Sequence, residues 1–169
     1  MRFLRLSSIC LAVTLIGGCG YRLGPTNNLS AGAKSVRITP FSNQTMEPRL
    51  TDAVTTALRR EIQRDGTYHV STHGNANIVV TGVLTKYRRH ELSFEPKDVL
   101  TVRDYRVDVT AQVTARDLDS GKTILDKEIT GYTLIRVGTD LSSSERQALP
   151  LLADDLAKNV ASQLVDGTW

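Results

Sequence analysis

The sequence predicts an α+β fold, a two-layer sandwich with two helices packed on one face of a mainly antiparallel four-stranded sheet. Two stretches repeat apolar residues at three- and four-residue steps, as amphipathic helices do. Between them, residues 105–116 alternate apolar and polar side chains, which is typical of a strand with one buried face. The elements follow the order strand, helix, three strands, helix, which favours two layers. We expect the helices to cover the sheet face that carries Tyr105, Val107 and Val109.

The first half of the chain supplies one strand and one helix. Val36 and Ile38 share a face of the strand, and Pro40 ends its alternation. Pro48 suits a first helical turn, because the N–H that proline lacks would be unpaired there. The helix ends before Gly66, since glycine readily takes the left-handed terminal conformation. Its apolar stripe consists of Leu50, Ala53, Val54, Ala57, Leu58 and Ile62.

Three strands follow in close succession. The first is apolar on both faces at its start and strongly basic at its end, near His90. A predicted loop at 93–98 precedes the second strand, whose alternation changes phase near Arg103 and Asp104, so we expect a β-bulge there. A stretch rich in turn-forming residues then leads into the third strand, predicted at 123–136, which pairs back as a hairpin.

The last helix is predicted to begin with a capping box formed by Ser142 and Glu145. Pro150 is expected to break or kink it, so that its long part runs from about Leu151 to Val165. An apolar stripe marks the buried face of that part: Leu152, Ala153, Leu156, Ala157, Val160 and Leu164.

The N-terminus has the pattern of a bacterial lipoprotein signal peptide. Two arginines precede about 11 mostly apolar residues, too few to span a bilayer, and two glycines stand directly before Cys19. In such a lipobox the Cys19 thiol receives a diacylglycerol, and the new N-terminus receives an acyl chain such as palmitate. An ordinary signal peptide with a nearby cysteine is the alternative. The chain therefore divides into a signal peptide at 1–18, a lipidated tether at 19–34 and a single domain at 35–167.

Composition narrows the functional classes. The chain has 21 basic and 18 acidic side chains, but Arg2 and Arg5 belong to the predicted signal peptide, so the remaining domain is nearly neutral. This balance argues against a nucleic-acid binder, which would be strongly basic. Both cysteines, Cys10 and Cys19, lie in or next to the signal peptide, so we expect no disulfide in the domain.

Catalytic or metal-binding patterns are not evident. His69 and His73 are four residues apart but lie in a connection rich in Gly, Thr and Asn, with no acidic residue placed as a third ligand. The serines at 142–144 are explained by helix capping. We expect neither enzymatic activity nor a metal or other cofactor, apart from the covalent lipid on Cys19.

Five stretches together resemble the LptE family of lipopolysaccharide-assembly lipoproteins. None is specific alone, but their order and spacing extend over nearly the whole mature chain. They are the lipobox with residues 19–23, the strand at 36–38, the helix at 50–58, the stretch at 104–111 and the terminal helix at 155–160.

The resemblance implies a non-enzymatic function at the outer membrane. LptE-like lipoproteins plug the lumen of the large barrel LptD from the periplasmic side, assist its folding and bind lipopolysaccharide during its delivery. A polar sheet face fits such a lumen, which is polar in large barrels. The alternative is a freestanding structural envelope lipoprotein that binds another barrel or the cell wall. A lipid-anchored periplasmic enzyme is a third and weaker possibility.

Basic residues suggest where glycolipid would bind. Lys86, Arg88, Arg89 and His90 form one run, and arginine forks suit the phosphates of lipid A through paired charge-assisted hydrogen bonds. Phe94 is placed to meet an acyl chain. A charged sheet edge that discourages aggregation is an equally weighted explanation. The predicted lipopolysaccharide-binding residues are Lys86, Arg88, Arg89, Lys97, Arg103 and Arg106.

Overall fold

The computed structural model describes residues 34–138 and 140–166 of the chain. The predicted signal peptide, Cys19 and nearly all of the tether lie outside the described residues. The elements are β1 Lys34–Ile38, β2 Ser42–Asn43, α1 Leu50–Asp65, β3 Tyr68–Val70, β4 Ile78–Glu95, β5 Asp98–Asp117, β6 Thr123–Arg136 and α2 Leu141–Asp166.

The six described strands form one mixed sheet with the order β3-β1-β4-β5-β6, and β2 pairs with β4 beside β1. The β4–β5 and β5–β6 pairs are antiparallel, whereas β1 is parallel to both β3 and β4 and β2 is parallel to β4. The α+β class is confirmed. The prediction of four mainly antiparallel strands is wrong, because β2 and β3 are too short to show a periodic pattern.

The β4–β5 hairpin is much longer than the rest of the sheet, with strands of 18 and 20 residues. Its ladder continues from Ile78 opposite Asp117 to Glu95 opposite Asp98. The predicted loop at 93–98 is therefore wrong, since only residues 96 and 97 form the turn. Beyond Leu84, β4 pairs with β5 alone, but β5 continues to pair with β6 as far as Asp104 and Arg136, so only the tip of the hairpin beyond Ser93 extends past the rest of the sheet.

An irregularity in β4 decides which side chains of the distal hairpin face the helices. Leu84 pairs with Ala111 but Lys86 pairs with Thr110, so Thr85 is an extra residue in β4. This bulge reverses the alternation of the strand. Odd-numbered residues then face the helices and even-numbered residues face away: Tyr87, Arg89 and Glu91 on the inner face, Lys86, Arg88 and His90 on the outer face.

The bulge predicted near Arg103 is confirmed. Ser93 pairs with Asp104 and Phe94 pairs with Val102, so Arg103 is skipped in the ladder. A bulge increases the local twist and redirects side chains, and here it turns an arginine out beside an aspartate of the same strand.

Both helices cover the inner face, as predicted, and pack against each other. α1 lies over β1, β2 and β3, whereas α2 lies over β5 and β6. The backbone of α2 comes so close to β6 that a Cβ atom on Gly131 would overlap the backbone of Leu156. Glycine at this position therefore sets the spacing between helix and sheet. None of the described helices is long and apolar enough to cross a membrane.

The start of α2 differs from the prediction. Asp140 caps the helix, because its Oδ1 atom accepts a hydrogen bond from the backbone N–H of Ser143 at 2.6 Å. The predicted capping box of Ser142 and Glu145 is wrong, since Glu145 bonds to residues of β4 instead. Pro150 does not interrupt the helix. It is exposed, so the carbonyl group that loses its N–H partner is accessible to water.

Candidate functional site

The six basic residues nominated by the sequence do not form one cluster. Strand alternation places Arg88 and Arg89 on opposite faces of β4, although they are neighbours in the chain. Lys97 lies in the exposed turn between β4 and β5, and Arg103 is the bulged residue of β5. The remaining two lie on the outer face with Arg88: Lys86 and Arg106.

Two of the six residues are engaged in contacts that hold the fold together. Lys86 Nζ lies 3.1 Å from Glu128 Oε1 of β6. Arg89 Nη1 lies 3.0 Å from Glu145 Oε1 of α2, which also accepts a hydrogen bond from the Tyr87 hydroxyl group. Burial, and then the negative charge of Glu145, raise the pKa of Tyr87 to about 12. These contacts tie the distal hairpin to β6 and to the first turns of α2.

Asp108 organises the outer face of the hairpin. Arg106 Nε lies 2.8 Å from Asp108 Oδ1, and His90 Nε2 lies 3.1 Å from Asp108 Oδ2. The Arg106 guanidinium group also stacks over the Tyr132 ring at 4.1 Å from its centre, a cation–π contact. Arg88 is directly opposite Asp108 in the ladder but forms no ion pair with the described residues. It therefore presents a free guanidinium group on this face.

Asp104 holds two further arginines at the end of β6. Its carboxylate accepts hydrogen bonds from the Ser93 hydroxyl group, from Arg103 Nε at 3.0 Å and from Arg136 Nε at 3.0 Å. The Ser93 hydrogen bond, followed by those from Arg136 and Arg103, holds the pKa of Asp104 far below its usual range. Each arginine uses Nε, and its terminal nitrogens make no hydrogen bond to the described residues. Two guanidinium groups are thus held close together, and the N–H donors on their terminal nitrogens remain unused.

An apolar cleft of about 470 Å³ adjoins these arginines. The residues that line the cleft are Leu92, Ser93, Asp104, Leu134, Ile135 and Arg136. Of these, Leu92 and Leu134 are 52% and 62% exposed. Phe94, 42% exposed, lies further along the hairpin.

We call this region the distal patch and define it by Arg88, Arg103, Arg106, Arg136, Leu92 and Leu134. Asp104 and Asp108 hold three of its four arginines, and the charges of Glu95 and Asp155 also act on Arg136 and Arg106. The patch therefore combines guanidinium donors held by carboxylates with exposed apolar surface. Such a surface suits an amphiphile that carries phosphate groups next to acyl chains.

Arg136 was missed by the sequence analysis although it is central to the patch. It lies 32 positions from Asp104, so no local motif joins them. The register of the β5–β6 hairpin is what brings the two residues together. Residue 115 pairs with residue 125 near the turn at 119–122, and eleven residues further along each strand residue 104 pairs with residue 136.

The family model described as LptE, lipopolysaccharide-assembly, matches residues 33–165. This match covers most of the chain and all but one of the described residues. The chain belongs to the LptE family. No curated protein is significantly similar to it in sequence.

Solved structures share the fold of this LptE-family chain at low sequence identity. A PelC dodecamer from Paraburkholderia phytofirmans has 20% identity and a TM-score of 0.51, with coverage of 84% of this chain and 92% of that one. The protein CT253 from Chlamydia trachomatis has 11% identity and a TM-score of 0.55, with coverage of 79% and 96%. A lipoprotein from Caulobacter crescentus has 8% identity and a TM-score of 0.50, with coverage of 76% and 92%. At these identities the likeness concerns the fold alone.

The histidines weighed as metal ligands lie apart from the patch. His69 is exposed on β3, and His73 lies in the following loop with its Nδ1 atom 3.0 Å from the Thr72 hydroxyl group. Within the described part of this LptE-family chain, no three His, Cys, Asp or Glu residues are grouped to hold a metal ion. The LptE family is one of assembly proteins and not of enzymes.

Proposed function

We propose that this chain is an outer-membrane lipoprotein that occupies and helps fold an LptD-like barrel and binds lipopolysaccharide during its assembly. Family membership supports the role in lipopolysaccharide assembly. The observation that carries the binding proposal is the pair of arginines, Arg103 and Arg136, that Asp104 holds at the apolar cleft.

The chemistry of the distal patch fits lipid A. Two phosphate groups would accept paired hydrogen bonds from the free guanidinium nitrogens, and these charge-assisted bonds are about twice as strong as neutral ones. The cleft beside Leu92 and Leu134 would cover part of an acyl chain and remove apolar surface from water. Because the arginines are already held by Asp104, less side-chain entropy would be lost on binding.

The length of the hairpin supports a position within a barrel. Val36 of β1 pairs with Ile78, so the chain enters the domain at the start of β4. From there to Ser93, β4 extends roughly 50 Å, which exceeds the hydrocarbon thickness of a bilayer, about 30 Å. A domain tethered by a lipid on Cys19 in the periplasmic leaflet would thereby carry its patch to the level of the outer leaflet.

The outer sheet face supports the same arrangement. Away from the distal patch it carries mostly polar and charged residues, several of which bond to one another, for example Gln112 with Asp126 at 2.6 Å and Thr110 with Thr130 at 3.1 Å. A surface of this kind is compatible with the polar interior of a large outer-membrane barrel.

The test is purification of the full-length chain from its own outer membrane in mild detergent, followed by mass identification of the proteins and lipids retained. The proposal expects an LptD-like barrel in equimolar amount and lipopolysaccharide in the preparation. A lone monomer without glycolipid would instead support the freestanding structural lipoprotein.

A further inference from the structure

β6 is an edge strand, and α2 closes only part of that edge. The backbone N–H of Tyr132 donates to Asp155 Oδ2 at 2.9 Å, and the backbone carbonyl oxygen of Thr130 accepts from Asn159 Nδ2 at 2.9 Å. Asp155 and Asn159 are four residues apart and so lie on one face of α2. Together they occupy the backbone groups that another strand would need at this point, which is one way proteins protect a sheet edge.

The preceding part of the edge is open. In an antiparallel pair, alternate residues direct both backbone groups away from the partner strand. Asp126 and Glu128 have the same parity as Thr130 and Tyr132, so their N–H and C=O groups point away from β5. None of these four groups bonds to a described residue, whereas the carbonyl oxygen of Thr130 two positions later does.

A groove lies beside this open stretch. It has a volume of about 360 Å³ and a mostly polar lining. One wall is the edge of β6 and the other is α2, and the lining residues are Lys127, Glu128, Ile129, Thr130, Asn159, Ser162 and Gln163. Lys127 Nζ donates a hydrogen bond to Gln163 Oε1 at 3.0 Å, so one side-chain contact joins the two walls. A groove between an edge strand and a helix is the geometry in which an extended segment adds as a further strand, bound mainly through its backbone.

We propose that this groove binds a short extended segment of the barrel partner as an additional strand next to β6. The proposal rests on the proposed function, because it takes the occupant from the barrel. The segment would pair with Asp126 and Glu128 and end where Asn159 and Asp155 block the edge. Because the open stretch runs from Asp126 to Glu128, about three residues of the segment can lie opposite it.

The carboxylate of Asp126 indicates which residue type the bound segment carries opposite it. Asp126 Oδ1 is held on the outer face by Gln112 at 2.6 Å and by Thr114 at 3.3 Å, but no cation of the described chain pairs with it. Glu128 already has Lys86 at 3.1 Å. A lysine or arginine opposite Asp126 would complete a cross-strand pair of opposite charges, so the bound segment carries one at that position.

The same charges oppose a second copy of this chain as the occupant. If two β6 edges paired antiparallel around this stretch, Asp126 and Glu128 of one copy would meet the same residues of the other. Like charges directly opposite each other destabilise a strand pair.

The experiment uses the full-length protein in its own cells. Ser162, in the groove, is replaced by the photo-crosslinker p-benzoylphenylalanine, and Gln63, exposed on α1, serves as the control position. We expect Ser162 to give an adduct that maps to an extended segment of the barrel, and Gln63 to give none with that segment. An adduct with a second copy of the chain, or none at Ser162 although the barrel co-purifies, overturns the inference but leaves the proposed function intact. Failure of the barrel to co-purify at all overturns the proposed function.

Two pairs of variants test the backbone contact. Glu128→Pro removes an outward-facing N–H, where proline is tolerated, whereas Glu128→Ala removes only the side chain. Retention of the barrel is expected to fall about tenfold for Glu128→Pro and to change little for Glu128→Ala. Ser162→Trp fills the groove and is expected to act like Glu128→Pro, with Gln63→Trp on α1 as its control. Equal retention by Glu128→Pro and Ser162→Trp, both with wild-type melting temperatures, overturns the inference.

Discussion

Asp104 and Arg136 face each other across β5 and β6, and Asp104 Oδ1 lies 3.0 Å from Arg136 Nε. The same carboxylate holds Arg103 from its own strand through the other oxygen atom. One aspartate thereby brings together two arginines that are far apart in the sequence. It also leaves their terminal nitrogens available to a ligand at the apolar cleft.

This arrangement predicts a pH dependence. The pKa of Asp104 is lowered in the folded state, so the folded protein binds its proton less readily than the unfolded chain does. The resulting stabilisation is fully present above the unfolded pKa, about 4, and declines below it until the pH has fallen through the lower pKa of the folded state. Asp104→Asn removes this contribution. In thermal denaturation, the melting temperature of the wild type is expected to exceed that of Asp104→Asn at pH 6, and the difference is expected to shrink progressively as the pH is lowered below about 4. A difference that grows on acidification would contradict this account.

Arg88 and Arg89 are predicted to differ in what they do, because they lie on opposite faces of β4. Arg89→Glu places a second acid beside Glu145, which is 3.0 Å from the present guanidinium group. Loss of this partly exposed pair costs roughly 0.2–1 kcal/mol, and the repulsion adds to it. We expect a melting temperature lower by about 2–4 °C, since 1 kcal/mol corresponds to that shift in a domain of this size.

The matched pair is Arg88→Gln and Arg89→Gln, because a glutamate at position 88 would lie directly opposite Asp108. Arg88 makes no ion pair with the described residues, so the melting temperature of Arg88→Gln is expected to stay at the wild-type value while lipopolysaccharide binding weakens. Arg89→Gln loses the pair with Glu145 and is expected to melt lower. The reverse pattern would show that the two faces are assigned wrongly.

Gly131 is predicted to be irreplaceable in the packing of α2 on β6. The methyl group of Gly131→Ala would overlap the backbone of Leu156, and backbone can yield only if the helix moves. Overpacking of this kind typically costs about 1–3 kcal/mol. Gly138→Ala is a suitable control, because its nearest contact is the Ser144 hydroxyl group at 3.9 Å. Chemical denaturation is expected to show a lower free energy of unfolding for Gly131→Ala only, and equal values for both variants would contradict the packing described.

The long periodic elements are the ones that sequence reasoning found. The apolar stripe of α1, the alternation of β5 and even the phase change at Arg103 are local patterns, so each is visible without the fold. β2 and β3 are too short to have a pattern. Pro150 shows how tertiary packing overrides a local rule, since the apolar face of α2 continues on both sides of it.

The site was harder to predict because charge clustering along a strand is not clustering in space. The run at 86–90 is divided between two faces, a consequence of strand geometry that sequence proximity conceals. The local pattern predicts a helix cap at Glu145, but its partners Tyr87 and Arg89 lie more than 50 positions away. Arg136 became part of the site only through the register of β5 and β6.

The central claim, that the distal patch binds glycolipid, is tested most directly by the affinity for lipopolysaccharide of Arg103→Ala/Arg136→Ala, measured by titration calorimetry beside Lys86→Ala. Each lost charge-assisted bond weakens binding by about tenfold or more, so we expect the double variant to bind at least about a hundredfold more weakly. Lys86→Ala is expected to bind lipopolysaccharide like the wild type, because Lys86 pairs with Glu128 and lies outside the distal patch. Wild-type affinity in a correctly folded double variant would contradict the account.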